Sequence, residues 1–209
     1  MRLLAVVLGL SSFAAAADAP VVFYSKSFPG SAPAYVQLTL ARDGSAVYME
    51  DPKDDQPLKF QLTPAETGQI FDLAAKLDNF KRPLESGLKV ARMGVKTYRY
   101  QNGAEKHEQS FNYSTDETAR LLQDWFERIV ESERRFIDLD RAIHFDRIGV
   151  NESLLNMAVV YEQHRLIAPE QFLPLLDRIA KNESFVHMAR ERAASIADTI
   201  RAGQPPKTE

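Results

Sequence analysis

The chain has 209 residues, with 26 basic and 29 acidic side chains and a formal net charge of −3 at pH 7. This near balance, with no strongly basic half, gives no support to a nucleic-acid-binding function. The chain has no cysteine, which excludes thiol catalysis, disulfide bonds and a lipid anchor on cysteine. The fold must therefore depend on its apolar core.

The first 17 residues have the features of a secretory signal peptide. Met1-Arg2 is positively charged, residues 3–10 are apolar, and the small residues at 14–17 suit cleavage near Ala17. The apolar run is shorter than the roughly 20 residues that span a bilayer, and no later stretch approaches that length. The sequence predicts an exported bacterial protein, periplasmic or extracellular, without a membrane span or a lipid anchor.

Residues 18–113 predict a sheet-rich α+β half. Residues 35–41 alternate between two faces, which is the period of a strand. Asp43-Gly44 is typical of a hairpin turn, and Asn102-Gly103 is a stronger signal for a second hairpin turn. Strands are predicted over residues 21–27, 35–41, 45–50, 58–62, 93–100 and 105–113.

A capped helix follows the first group of strands. Thr63 is its predicted N-cap, Pro64 suits the first helical position, and Glu66 completes a capping box. The apolar stripe of this helix consists of Ile70, Phe71, Ala74 and Leu77. The helix is expected to end near Asn79, and residues 81–92 predict an irregular connection to the second hairpin.

Residues 114–147 predict one long helix that links the two halves of the chain. Ser114 is expected as the N-cap, with Glu117 completing a capping box, and Gly149 is the stop signal. Ser132 interrupts an apolar stripe, spaced in steps of three and four, that consists of Leu122, Trp125, Ile129, Phe136, Leu139 and Ile143. At about 1.5 Å per residue, the helix is roughly 50 Å long. We therefore expect its first half to pack on the sheet and its second half to join the later helices.

Residues 148–203 predict a helical half. Apolar stripes indicate helices over residues 152–165, 169–181 and 184–202. The connections are short, so consecutive helices should be antiparallel or steeply crossed. Residues 204–209 contain no apolar side chain, which predicts a disordered tail. The predicted fold class is α+β: a small antiparallel sheet of hairpins packed by helices, joined through one long helix to a C-terminal all-α segment.

The order of elements in the N-terminal half resembles a known layout. A hairpin through Asp43-Gly44 precedes the capped helix, which ends in the sequence LDNF, and a hairpin through Asn102-Gly103 leads into the long helix. Over residues 21–130 this arrangement is similar to a small α+β domain of unknown function found in exported bacterial proteins. The resemblance implies a fold and no activity, so it assigns no functional residue.

The sequence predicts no catalytic residue, metal ligand or cofactor site with a recognisable motif. An acid–base or metal cluster around Asp140, His144 and Asp146 is one interpretation of the end of the long helix. The interpretation we favour is a solvated face with ordinary ion pairs. It is supported by two pairs spaced at i, i+4, Glu131–Arg135 and Arg134–Asp138.

The best candidate for binding is the connection after the first helix. It concentrates five cations: Lys81, Arg82, Lys89, Arg92 and Lys96. Long loops on a rigid scaffold often carry function, so these side chains are candidates for an anion-binding or partner-binding site. The alternative is ordinary surface charge, which is where most charged residues lie.

Three functions are compatible with these patterns. The first is a non-enzymatic exported module that binds a partner, such as another envelope protein. The second is a structural or regulatory envelope protein whose helical half docks on another protein. The third is an enzyme with an acid–base site around Asp140, His144 and Asp146. The absence of a catalytic motif favours the first.

Overall fold

The computed structural model describes residues 19–203, in which a six-stranded antiparallel sheet packs with five α-helices. The predicted α+β class is confirmed. The predicted signal peptide at residues 1–17 and the predicted tail at residues 204–209 lie outside the described residues.

The sheet is a meander of hairpins with the first strand near its centre. Its strands are β1 (Val21–Ser27), β2 (Tyr35–Ala41), β3 (Ser45–Met49), β4 (Leu58–Gln61), β5 (Val95–Asn102) and β6 (Glu105–Phe111). Their spatial order is β4-β3-β2-β1-β5-β6, and every neighbouring pair is antiparallel. Both predicted hairpins are present, joined at Asp43-Gly44 and Asn102-Gly103.

One face of the sheet forms the first apolar core. Tyr24 of β1 lies opposite Leu38 of β2 and Tyr98 of β5, and all three side chains are buried. Tyr24 stacks on Phe126 with ring centroids 4.6 Å apart. The period of two in each strand thus places its large apolar residues under the helices, while the other face stays partly exposed.

The first helix, α1, spans Pro64–Lys76 and begins with the predicted capping box. The Thr63 N–H donates to Glu66 Oε2 at 2.9 Å, and the Glu66 N–H donates to Thr63 Oγ1 at 3.2 Å. The α-helix ends before Asn79, because Asp78, Asn79 and Phe80 all have positive φ angles and form a short 3₁₀ turn. That turn directs the Phe80 ring into the sheet core.

The long helix, α2, spans Glu117–Phe145 and is shorter than predicted at both ends. Its N-cap is Asp116 rather than Ser114: Asp116 Oδ1 accepts the Ala119 N–H at 3.1 Å. Ser114 is buried just before the helix, and its Oγ accepts the Asp116 N–H at 3.3 Å. A carboxylate at the cap also suits the positive end of the helix dipole, which explains why Asp116 caps the helix.

The helix α2 is continuous between the two apolar cores and contributes to both. Its first half supplies Ala119, Leu122, Phe126 and Ile129 to the sheet core. Its second half supplies Leu139, Ala142 and Ile143 to a core formed with the C-terminal helices. The packing of the two halves therefore follows the prediction.

The C-terminal helices are α3 (Val150–Glu162), α4 (Leu173–Lys181) and α5 (His187–Arg201). A 3₁₀ turn at Pro169–Phe172 precedes α4, so the predicted helix over 169–181 begins only at Leu173. The helix predicted over 152–165 ends at Glu162, because His164 takes a positive φ and the chain turns back. The helix predicted over 184–202 starts at His187.

Between residues 19 and 203, no helix combines the length and the apolar character that a bilayer crossing requires.

Candidate functional site

Two of the five candidate cations are held in ion pairs. Arg82 Nη2 lies 2.6 Å from Asp116 Oδ2, so this arginine ties the irregular connection to the N-terminus of α2. The interaction lowers the pKa of Asp116. Lys81 Nζ lies 3.2 Å from Glu105 Oε1 at the start of β6. Both cations therefore have a structural partner.

A third cation, Lys96, is buried. Its Nζ donates to the main-chain oxygen of Asn112 at 2.7 Å and lies 5.9 Å from the centroid of the Phe111 ring. Burial lowers the pKa of Lys96, and the charge of neighbouring Lys26 lowers it further. Lys96 therefore stabilises the chain where Asn112 follows the edge strand β6, and its charge is not exposed to solvent.

The remaining two cations, Lys89 and Arg92, are exposed. Within residues 19–203 neither of them forms an ion pair with a carboxylate. The five cations thus do not converge on one anion. Lys89 and Arg92, which remain available to bind an anion, lie in the middle of the connection.

The connection between α1 and β5 has a defined shape although it contains no helix or strand after the 3₁₀ turn. Asn112, which follows β6, holds it: its side-chain oxygen accepts the Met93 N–H at 2.9 Å, and its amide donates to Ala91 O at 3.0 Å. The Asn112 N–H donates to Glu85 Oε2 at 2.7 Å, and this bond lowers the pKa of Glu85. The Ser86 N–H donates to the Tyr113 oxygen at 2.9 Å.

Sequence patterns did not single out Asn112 as a residue that organises the site. The residues next to Asn112 in the sequence do not indicate this role, because its partners lie 19 to 27 residues away. The only sequence signal is its position immediately after a strand. The partners become apparent only when the connection is folded against β6.

Four apolar side chains in the held segment face solvent. Leu88, Val90, Met93 and Val95 are 41% to 57% exposed. Leu88, Val90 and Val95 line a groove of about 550 Å³ together with Phe28, Pro29 and Arg92. We call this feature the loop groove. Apolar side chains concentrated at one place on a surface are typical of a binding site.

At the end of α2, His144 contacts Asp140, with His144 Nδ1 at 3.5 Å from Asp140 Oδ1, whereas Asp146 has a different partner. His144 Nδ1 donates to the Asp140 main-chain oxygen at 2.8 Å, and Arg178 Nη1 approaches His144 Nε2 at 3.3 Å. Asp146 Oδ1 accepts the Gly149 N–H at 2.9 Å. Asp140 lines a depression of about 480 Å³, whereas Asp146 lines a different one of about 240 Å³.

The ion pairs on this part of α2 differ from the predicted i, i+4 pairs. Arg134 approaches Glu50 of the strand region at 3.8 Å, and Arg135 approaches Asp138 at 3.6 Å. Glu131 instead accepts from Arg165 at 2.9 Å. Among residues 19–203, no group of three or more histidine, aspartate or glutamate side chains is arranged to hold a metal ion.

A buried carboxyl that sequence patterns missed lies in the middle of α2. Glu133 has no exposed surface, and its Oε1 accepts from Gln171 Nε2 at 2.9 Å. Its Oε2 has no hydrogen-bond partner within the described part of the chain. Burial raises the pKa of Glu133 to about 7.

The neighbouring Ser132 explains the break in the apolar stripe. Its hydroxyl donates to Arg128 O at 2.8 Å and accepts the Ile167 N–H at 2.8 Å. A polar side chain is needed there because the connection between α3 and α4 docks its main chain on α2 at that point. Arg128 makes a further bond across the same interface, to His164 O at 2.8 Å.

Comparison of the sequence with protein-family models finds no match, and comparison with curated proteins finds no significant one. The resemblance of residues 21–130 to a small α+β domain stays a prediction that rests on the order of the elements.

Proposed function

We propose that this chain is an exported, non-enzymatic binding module that recognises another envelope protein through the loop groove. One observation carries the proposal: Leu88, Val90, Met93 and Val95 are exposed within one short segment that hydrogen bonds hold in place. Exposing so much apolar surface at one point is unfavourable unless a partner covers it.

The chemistry of the groove defines the partner. Lys89 and Arg92 are exposed and have no carboxylate partner within residues 19–203. The one acidic side chain that lines the groove, Glu85, already accepts main-chain N–H groups from Asn112 and Ser86. The groove therefore suits an extended peptide segment in which large apolar side chains alternate with aspartate or glutamate.

The hydrogen bonds of Asn112 make the groove a suitable docking surface. A loop that is already ordered loses little conformational entropy when a partner binds, so more of the contact energy contributes to affinity. Asn112 bonds to the segment at both Ala91 and Met93. Leu84, at the start of the segment, is buried in the sheet core and holds its other end.

Export is part of the proposal and is supported by the N-terminal residues alone. A charged start, an apolar run and small residues before Asp18 match a cleaved secretory signal. Fractionation of cells that express the full chain tests this directly. Processed protein outside the cytoplasm is expected, and unprocessed protein in the cytoplasm would contradict it.

The experiment for the loop groove is selection of displayed peptides on the purified protein. Peptides that combine leucine or phenylalanine with aspartate or glutamate are expected, and Lys89→Glu with Arg92→Glu should abolish their binding. The double variant Leu88→Ser, Met93→Ser should also abolish it. Leu155→Ser with Val159→Ser, which removes exposed apolar side chains from α3, is the matched control. Peptide binding that all these variants retain would refute the proposal.

A second candidate function is docking through the helical half, as in a structural or regulatory envelope protein. It is favoured by Phe145 and Ile148, which are 86% and 87% exposed on either side of the end of α2. The double variant Phe145→Ser, Ile148→Ser separates the two functions. It should leave peptide binding to the loop groove unchanged, whereas loss of that binding would place the interaction on the helical side.

A further inference from the structure

A further cavity lies between the sheet and α2, and it shares one lining residue, Phe28, with the loop groove. The ends of β1 and β2, the turn between them and the middle of α2 line it, together with Arg165 from the connection after α3. Its volume is about 340 Å³, which is within the range of small-molecule sites. We call it the basic cleft.

Cations outnumber carboxylates in the lining of this cleft. The cations are Lys26, Arg134, Arg135 and Arg165, and the carboxylates are Glu127 and Glu131. Arg165 is paired with two carboxylates, because it donates to Glu131 at 2.9 Å and to Asp124 at 3.1 Å. The charge of Glu131 is therefore already balanced, and among the lining residues the other three cations face only Glu127.

Those three cations have only loose partners. Lys26 Nζ lies 3.8 Å from Glu127, Arg134 Nε lies 3.8 Å from Glu50, and Arg135 Nη1 lies 3.6 Å from Asp138. Charge-assisted hydrogen bonds between such groups usually measure about 2.7–2.9 Å. Each of the three side chains thus keeps donor capacity for a further anion.

Two further observations indicate unsatisfied positive charge at this place. The register of the sheet sets Lys26 directly opposite Lys96, so two like charges meet on the same face. Arg135 Nε is buried and has no hydrogen-bond partner among residues 19–203. An unpaired buried donor is unfavourable, and an anion in the cleft would relieve both conditions.

Apart from Ser31, the rest of the lining is mainly apolar. Tyr24, Phe28, Val36 and Val130 form it, with Pro33 at the turn between β1 and β2. Tyr24 is a neutral hydrogen-bond donor at ordinary pH, because burial and the Glu127 carboxylate raise the pKa of its hydroxyl. The cleft thus combines a cationic end with an apolar wall.

We propose that the basic cleft binds a small monocarboxylate with an apolar body, of the size of a short fatty acid. The carboxylate accepts from Arg134, Arg135 and Lys26, and the hydrocarbon lies against Phe28, Val36 and Val130. This site meets the loop groove only at Phe28, which lines both, so the chain would have one surface for a peptide and an adjacent cleft for a small anion.

Calorimetric titration of the purified protein with octanoate tests the proposal. Saturable one-to-one binding that weakens with added salt is expected, and octanol, which has the same tail without the charge, should bind at least tenfold more weakly. Arg134→Gln and Lys26→Gln should each weaken octanoate binding by about tenfold or more. Because both side chains are partly exposed at the surface, the variants should fold.

The control variant is Lys89→Gln, which removes an exposed cation outside the cleft lining and should leave octanoate binding unchanged. No saturable heat with octanoate would overturn the proposal, as would equal affinity for octanol. Equal affinity of the parent protein and both cleft variants would overturn it as well. Lys26 and Arg134 do not line the loop groove, so the cleft variants test this proposal without altering the lining of the peptide site.

Discussion

Replacement of Glu133 by glutamine should stabilise the protein at alkaline pH and leave its stability unchanged under acid conditions. The pKa of this buried carboxyl is raised from 4.5 to about 7 in the folded protein. Between these two pH values the folded state holds a proton that the unfolded state has lost. The free energy of unfolding therefore falls as the pH rises from about 4.5 to about 7.

The magnitude follows from the size of that shift. A shift of about 2.5 units, from 4.5 to about 7, corresponds to about 3 kcal/mol at about 1.4 kcal/mol per unit. The substituted amide has no charge to bury, and its oxygen can still accept the Gln171 N–H that Glu133 Oε1 accepts. Glu133→Gln should therefore gain up to about 3 kcal/mol at pH 8 and nothing near pH 4.

Urea unfolding at a series of pH values from 4 to 8 measures this difference. The single tryptophan, Trp125, lies on α2 next to the sheet core and reports the transition by fluorescence. Asp72→Asn removes an exposed carboxylate from α1 and is the matched control, for which little change is expected at any pH. A Glu133→Gln variant less stable than the parent at pH 8, or one with a constant offset at all pH values, would refute the reasoning.

Three other substitutions test contacts that hold α2 and the loop groove. Ser132→Ala leaves the buried Ile167 N–H without its acceptor and should lower the free energy of unfolding by about 1–3 kcal/mol, as measured by urea unfolding. Asp116→Ala removes the N-cap of α2 and should cost about 1 kcal/mol in the same assay, whereas Asp116→Asn should retain most of the cap. Asn112→Ala should speed hydrogen exchange at the Met93 amide, whose acceptor it removes, with little change in exchange within α3 to α5. Unchanged stability of Ser132→Ala would show that water replaces the hydroxyl. Equal stability of the Asp116→Ala and Asp116→Asn variants would show that the cap contributes nothing. Unchanged hydrogen exchange at the Met93 amide would show that the segment does not depend on Asn112.

Features that depend on a few adjacent residues were predicted correctly. The capping box of Thr63 and Glu66 needs only residues within one turn, so its pattern in the sequence is sufficient. The turn at Gly44 is similar, because its φ of +88° favours glycine. The continuous helix through residues 130–140 followed from apolar spacing alone.

Features with several local solutions were predicted less well. Both Ser114 and Asp116 are good caps, and their spacing cannot rank them, because burial of Ser114 and the pairing of Arg82 with Asp116 arise only on folding. The prediction of i, i+4 ion pairs was wrong for the same reason, since the competing partners become close only on folding. Arg134 pairs with Glu50 and not with its helix neighbour. Glu131 likewise pairs with Arg165, which is distant in the sequence.

The amino-acid sequence by itself determined the α+β class, the two hairpins, the capped first helix and the long helix, because periodicity and turn chemistry act over a few residues. Only the tertiary structure decided which cations remain free and which groups are buried. In the sequence Glu133 resembles an ordinary helix-surface residue and Ser132 a gap in the apolar stripe, and their roles follow only from docking of the connection after α3. In this protein, contacts between residues more than about 30 positions apart determine which side chains are buried, which charges pair and which pKa values shift. A local sequence pattern contains no information about such contacts.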